Sequence, residues 1–275
     1  MFRNFSDKLR VFSQPFISLI PAKKDCVVVS LHNIQQDDYS WLNQVLHFIA
    51  QHYEFVEPHS NLQKLTPYND PIKVLLSFDD GFRSNYFVAK KFLKPLNVHA
   101  VFFITSNFIG LRGKEAFRFT QQYFYPSRVI ENNNEYDAMD LEEICWLQEQ
   151  GHVIGAHTYD HPKLSQLSEK DQRRQIIDSA NELEDMICRP VRSFAYPFGS
   201  VTTVDENSVM IAKDRFDNAY SNIRGMVNES VNNHFIFRQN LVPGMPIWLV
   251  KAAIEGRLDW RHHEARKLAG KYYRC

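Results

Sequence analysis

Seven short apolar runs rich in β-formers alternate along the chain with longer segments of helical period, and this alternation constrains the fold most. The runs are Cys26–Leu31, Ile72–Phe78, Ala100–Thr105, His152–Ala156, Ser193–Tyr196, Asn218–Ser221 and Phe235–Leu241. Strands that alternate with helices form a parallel sheet or barrel. Several runs, such as Val74-Leu75-Leu76, are apolar at consecutive positions. That pattern suits strands covered on both faces rather than one. The connecting segments carry their own start and stop signals. Asp140 precedes Leu141-Glu142-Glu143 as a cap and Gly151 follows that helix, while Ser168-Glu169-Lys170-Asp171 opens another, whose Ile176, Ala180, Leu183 and Ile187 form one buried stripe. Residues 110–134 follow neither period and are expected to be an insertion over one face of the sheet.

The chain has 275 residues, 44% of them hydrophobic, which is enough to bury a full core without disulfide or metal staples. The expected parse is an N-terminal arm over 1–24, one catalytic domain over 25–260 and a C-terminal tail over 261–275. Thirty-two basic side chains balance thirty-two acidic ones, and no run of like charge forms a phosphate-binding stripe. Nucleic acid is therefore not an expected partner. Cys26, Cys145, Cys188 and Cys275 lie far apart with no Cys-x-x-Cys pair, which points to a reducing compartment. Val11–Ile20 is apolar but broken by Gln14 and Pro15, and no small-residue cleavage site follows it. The arm is read as a packing arm, with peripheral contact to a membrane surface as the other option. No stretch approaches the ~20 apolar residues of a spanning helix, and the expected location is cytoplasmic.

Three strand exits carry chemistry. The second run delivers Asp79 and Asp80 at its carboxyl end, followed at once by Gly81. A lone Asp-Gly is commonly a helix cap, but one cap uses one carboxylate. Adjacent residues also cannot flank a glycosidic bond from opposite sides, so different tasks for the two are expected. The fourth run ends at His157 and His161, whose spacing lets both imidazoles face one point if the chain turns helically after the strand. Two histidines and one carboxylate form a catalytic metal set with positions left for water and substrate. Non-haem iron oxygenases use the same set, but there Asp79 would have no task. The fifth run ends in Phe194-Ala195-Tyr196-Pro197-Phe198-Gly199, a rigid turn that walls the same rim. Glycine is scarce, at ten residues, yet Gly81, Gly155 and Gly199 fall in or beside these strings.

Together the strings Ser77-Phe78-Asp79-Asp80-Gly81, His157-Thr158-Tyr159-Asp160-His161 and Phe194–Gly199 resemble the motifs of the polysaccharide deacetylase family, the NodB-homology domain of carbohydrate esterase family four. Ser30-Leu31-His32-Asn33-Ile34 resembles the opening motif of some members, so the resemblance runs from about Cys26 to about Leu241. It implies a distorted (β/α) barrel of about seven parallel strands. It also implies a divalent metal, usually zinc, on Asp80, His157 and His161, with Asp79 as general base. Further implications are the backbone N–H of Phe198 as oxyanion donor and Tyr196, Pro197 and Phe198 as substrate contacts. The activity implied is removal of an N-acyl group, acetyl first, from an amino sugar or glycan intermediate.

Two departures stand out. Ala195 replaces the arginine that many members carry two residues before the proline, which leaves Arg238 as the nearest candidate to orient Asp79. The late histidine motif is not recognisable. His32, on the same rim, is the first candidate for the acid or a supporting role, and His234 reads as a strand-entry residue. Phe117, Phe119, Tyr123, Phe124 and Tyr125 of the insertion could stack on sugar rings or simply pack a loop. A deformylase, another amide hydrolase or a carbohydrate-binding relative that has lost catalysis are the alternatives.

Overall fold

A computed structural model of the protein describes residues 17, 19–23, 25–58, 62, 71–130, 134–228 and 231–274. Its frame is a parallel sheet of strands β1 (Val27–Leu31), β2 (Glu54–Phe55), β3 (Lys73–Phe78), β4 (Ala100–Ile104), β5 (Val153–Ala156), β6 (Ser193–Ala195), β7 (Asn218–Tyr220) and β8 (Gln239–Asn240). The order is β7-β6-β5-β4-β3-β1-β8, with β2 added beside the start of β3, and every strand pair is parallel. β1 and β4 are buried at all five positions, as the unalternating apolar runs require.

The sheet curls into a distorted barrel because its two ends meet through the segment after β7. Ile236 N–H donates to Ala219 O, Ser221 N–H to Ile236 O and Arg238 N–H to Ile223 O, after which Leu241 N–H donates to Ser30 O beside β1. Of the run Phe235–Leu241, only Gln239 and Asn240 therefore form a strand, with a single parallel bridge from Ile236 to Tyr220. The chain changes hydrogen-bonding partner midway, so one strand cannot span the run. β2, with two residues, is too short for its period to be legible.

Helices cover the outside of the barrel. Tyr39–His52 buries Leu42, Val45, Leu46 and Ile49 along one stripe, and Leu141–Glu149 starts on a full capping box between Asp140 and Glu143. The insertion is not aperiodic throughout, since it contains the helix Gly113–Phe119 and a π turn at Thr120–Phe124. Its aromatics serve a separate small core of Phe82, Phe108, Ala116, Phe119, Phe124 and Ala138, which hides the period expected of a helix laid on the main core. Residues 261–274 are no separate tail. Tyr272 is buried, its ring 4.6 Å from that of Phe235 and its hydroxyl donating to Val204 O. Residues 1–16 of the arm lie outside the described residues, while Lys23 N–H donates to Glu255 O and its ammonium pairs with Asp259 at 2.8 Å.

Candidate metal centre and active site

The carboxyl ends of β1, β3, β5, β6 and β8 open onto a cavity of about 580 Å³ lined by His32, Asp79, Asp80, His157, His161, Tyr196, Phe198 and Arg238, among others. This is the end of a parallel barrel where the loops can vary without disturbing the sheet. At its floor, Asp80 Oδ1 lies 3.5 Å from the Nε2 atoms of both His157 and His161, and all three residues are buried.

Backbone carbonyls settle how these rings point. His157 Nδ1 lies 2.7 Å from Ala195 O and His161 Nδ1 lies 3.2 Å from Tyr123 O. A carbonyl only accepts, so each Nδ1 carries a proton and each ring turns its Nε2 toward Asp80. Burial, reinforced by the neighbouring His157, pushes the pKa of His161 down to about 4, so that ring is neutral near pH 7. Burial raises Asp80, but a hydrogen bond from His157 and the positive charge that His32, His161 and His157 carry when protonated outweigh it and hold the carboxyl below its usual range. One possible ligand atom from each of the three buried residues lies within 4.8 Å of the others, a donor set that fits a divalent cation.

The loop that delivers both histidines is not the helical turn expected from their spacing. Thr158 has φ 65° and His161 φ 59°, and the Thr158 hydroxyl accepts from His161 N–H at 3.0 Å. Neighbouring segments hold the loop from outside, through Ser106 N–H to Thr158 O and through Gln175 Oε1, which accepts from the N–H groups of Tyr159 and Asp160. Asp80 and Phe198 also have positive φ. Four of the six described non-glycine residues in that region therefore stand at this site, where the surrounding bonds over-determine them.

Asp79 and Asp80 are neighbours with different surroundings. Asp79 accepts two parallel 2.7 Å bonds, from Arg238 Nη1 to Oδ1 and from Nη2 to Oδ2. Arg238 is fully buried and is itself fixed by Ser77 Oγ and Ser221 O. Desolvation pushes the Asp79 carboxyl up, and the guanidinium overrides it, holding the group well below the usual carboxylate range. The remaining predicted residues fall as follows. His32 lines the cavity with Nε2 3.7 Å from Asp79 Oδ2. The ring of Phe198 packs 4.6 Å from that of His161, and its N–H has no protein partner among the described residues. Gly199 must be glycine, because a Cβ there would lie 2.3 Å from Asn222 N at φ 51°. Pro197 is buried but does not line the cavity, and the Tyr196 hydroxyl donates to His234 O. His234 itself turns to Phe216 O.

Residues 67–214, more than half of the chain, match the family model described as Polysaccharide deacetylase. The chain belongs to the polysaccharide deacetylase family. The family consists of hydrolases that act on carbon–nitrogen bonds. Among curated proteins it is 32% identical over 137 residues to the peptidoglycan-N-acetylglucosamine deacetylase of Bacillus cereus, and 23% identical over 195 residues to YxkH of Bacillus subtilis. These alignments cover 39% and 61% of the two relatives' lengths and 49% and 70% of this chain, respectively. Among solved structures the fold is shared by IcaB from Ammonifex degensii, at TM-score 0.67 and 21% identity over 85% of this chain and 98% of that one. The Streptococcus pyogenes deacetylase PplD, in complex with acetate, matches with TM-score 0.61 and 18% identity, over 85% and 99%.

Against the deacetylase family's usual third motif, Ala195 lacks the arginine, and Arg238 occupies the position beside Asp79 from the other end of the sheet. Sequence reasoning missed Lys163, Asn222 and Asn240 on the cavity wall and the Tyr123 carbonyl behind His161. A backbone carbonyl leaves no residue-type signal, and isolated polar residues in loops give none either. Among the described residues, no helix is long and apolar enough to cross a membrane.

Proposed function

We propose that the chain hydrolyses the N-acetyl group of an amino sugar within a glycan or glycan precursor, using one divalent cation, zinc by its two-histidine, one-carboxylate donor set. The observation that carries this reading is an ionised carboxylate, Asp79, clamped by Arg238 beside three converging lone-pair atoms. Asp80, His157 and His161 would hold the cation, which would supply the positive charge that acidifies a water and polarises the acyl carbonyl. The chain's own groups complete the chemistry. Asp79, ionised at neutral pH, takes the proton from the attacking water, and Arg238 keeps its oxygens from swinging onto the cluster. The Phe198 N–H donates to the oxyanion that develops on the carbonyl, a contribution of about 3 to 4 kcal/mol in comparable sites. His32, at the rim and beside Asp79, protonates the departing amine.

Acetate release from N-acetylated sugar donors tests the reading. Chelated protein should be inactive and should regain activity with one zinc per chain. Asp79→Asn should bind zinc as tightly as the wild type yet lose at least about 100-fold in kcat, the range of general acid–base catalysis. Equal turnover by stripped protein, or by Asp79→Asn, would overturn it.

A further inference from the structure

The cavity's charge is lopsided. Its carboxylates, Asp79 and Asp80, are both committed, the first to Arg238 and the second to the histidine cluster. Arg128 and Lys163 line the same cavity, both are exposed, and neither has a carboxylate partner among the described residues. The Arg128 guanidinium sits 5.8 Å over the Tyr125 ring, a contact that leaves its N–H donors without a protein acceptor among the described residues.

Both cations stand on one side. Their loops are joined at His161, whose Nδ1 donates to Tyr123 O and whose ring meets Phe124 at 4.9 Å. Lys163 follows His161 by two residues and Arg128 follows Phe124 by four, with Ser127, exposed and on the cavity wall, adding a hydroxyl. The wall that follows β1 and β8 is formed by Asn33, Asn240, Leu241, Val242 and Pro243, and His32 is its one titratable group. A neutral acetylated sugar offers no charge to these two cations, unpaired among the described residues. A phosphoryl or carboxyl group does, because arginine's fork and lysine's point charge both match its oxygens.

We infer that the substrate carries an anionic substituent, phosphoryl or carboxyl, on or next to the N-acetylated sugar, and that Arg128, Lys163 and Ser127 receive it on the His161 side of the cavity. This rests on the deacetylase reading for the sugar and adds the charge.

Binding and turnover separate the two. The zinc-loaded Asp79→Asn protein is titrated with N-acetylglucosamine, its 1-phosphate and N-acetylmuramic acid, which differ in having no anion, a phosphoryl or a carboxyl. At least one anionic donor should bind about tenfold more tightly than the neutral one at low salt, and the advantage should fade at about 0.5 M salt. Whichever is preferred identifies the anion. Adding Arg128→Ala and Lys163→Ala should erase the preference and leave neutral-donor affinity within about threefold, with an unchanged melting curve, since both side chains are exposed. In otherwise wild-type protein, the same pair should raise KM for the anionic donor and leave kcat alone. Equal affinities for all three donors, or a preference that survives the double substitution, would overturn the inference. If wild-type protein releases acetate from no donor while the binding preference persists, the deacetylase reading fails and the anion site stands.

Discussion

Arg238 has no exposed surface, and both of its terminal nitrogens are spent on Asp79. Removing one partner of a buried pair leaves the other charge uncompensated, at a cost of about 3 to 5 kcal/mol, whereas replacing both with apolar or neutral groups is close to neutral. Arg238→Ala is therefore expected to lose about that much stability in chemical denaturation. Its acetate release should also fall by at least about 100-fold, because Asp79 is then free to turn toward the cation. The double variant Asp79→Asn, Arg238→Met should recover most of the stability and none of the activity. If the double variant is as unstable as the single, the guanidinium serves the fold through Ser77 and Ser221 rather than through Asp79. Arg238 was visible in the sequence as a charge inside an apolar run. Its partner was only one candidate, since 159 positions separate the two and the barrel's curl alone brings them together.

At the scale of elements, the insertion works as a buttress. Phe119 packs on Phe108 at 5.1 Å and Phe124 at 5.4 Å, and Phe124 packs on His161 while the Tyr123 carbonyl fixes that ring's Nδ1. Partners behind a metal ligand commonly govern affinity by 10 to 100-fold. Phe119→Ala should weaken zinc binding by roughly tenfold in a competitive chelator titration, with hydrogen exchange quickening over 120–128. Its cost in global stability should fall at or below the ~3 to 5 kcal/mol of a core Phe truncation, because this small core is separate from the main one. Unchanged zinc affinity would show the insertion to be a cover only. The aromatic content of 110–134 was legible. Which aromatics would be buried was not, because they pack on Phe82 and Phe108 rather than on a helix stripe of their own. The same limit applied to His157 and His161. Their spacing gave convergence, but left-handed residues held by Gln175 and the segment after β4 produce it, not a helical turn.

Across the whole molecule, the far end of the barrel carries a titratable group unrelated to the site. His152, at the start of β5, accepts from Ala100 N–H through Nδ1 at 3.1 Å, and its Nε2 is buried without a partner among the described residues. A proton on Nδ1 would break that bond, and burial pushes the group from 6.5 down to about 4. The fold therefore favours the neutral ring. The contribution is complete above about pH 6.5 and is lost as pH falls toward 4, amounting to about 3 kcal/mol when protonation is complete. Denaturation curves from pH 7 to 4 should show His152→Gln losing less stability over that range than the wild type. Parallel pH profiles would remove His152 as the cause.

The sequence by itself determined what depends on neighbours along the chain: strands buried on both faces, capped helices, and the residue types at each strand exit, because these follow from local periodicity and side-chain chemistry. Only the tertiary structure decided which distant groups share a cavity. The closure through residues 235–241 sets Arg238 against Asp79, and the insertion's separate core sets a carbonyl behind His161 and brings Arg128 to the same cavity as Lys163. Such contacts depend on how the sheet curls and on which loop lies over which strand end, and no residue spacing encodes that geometry.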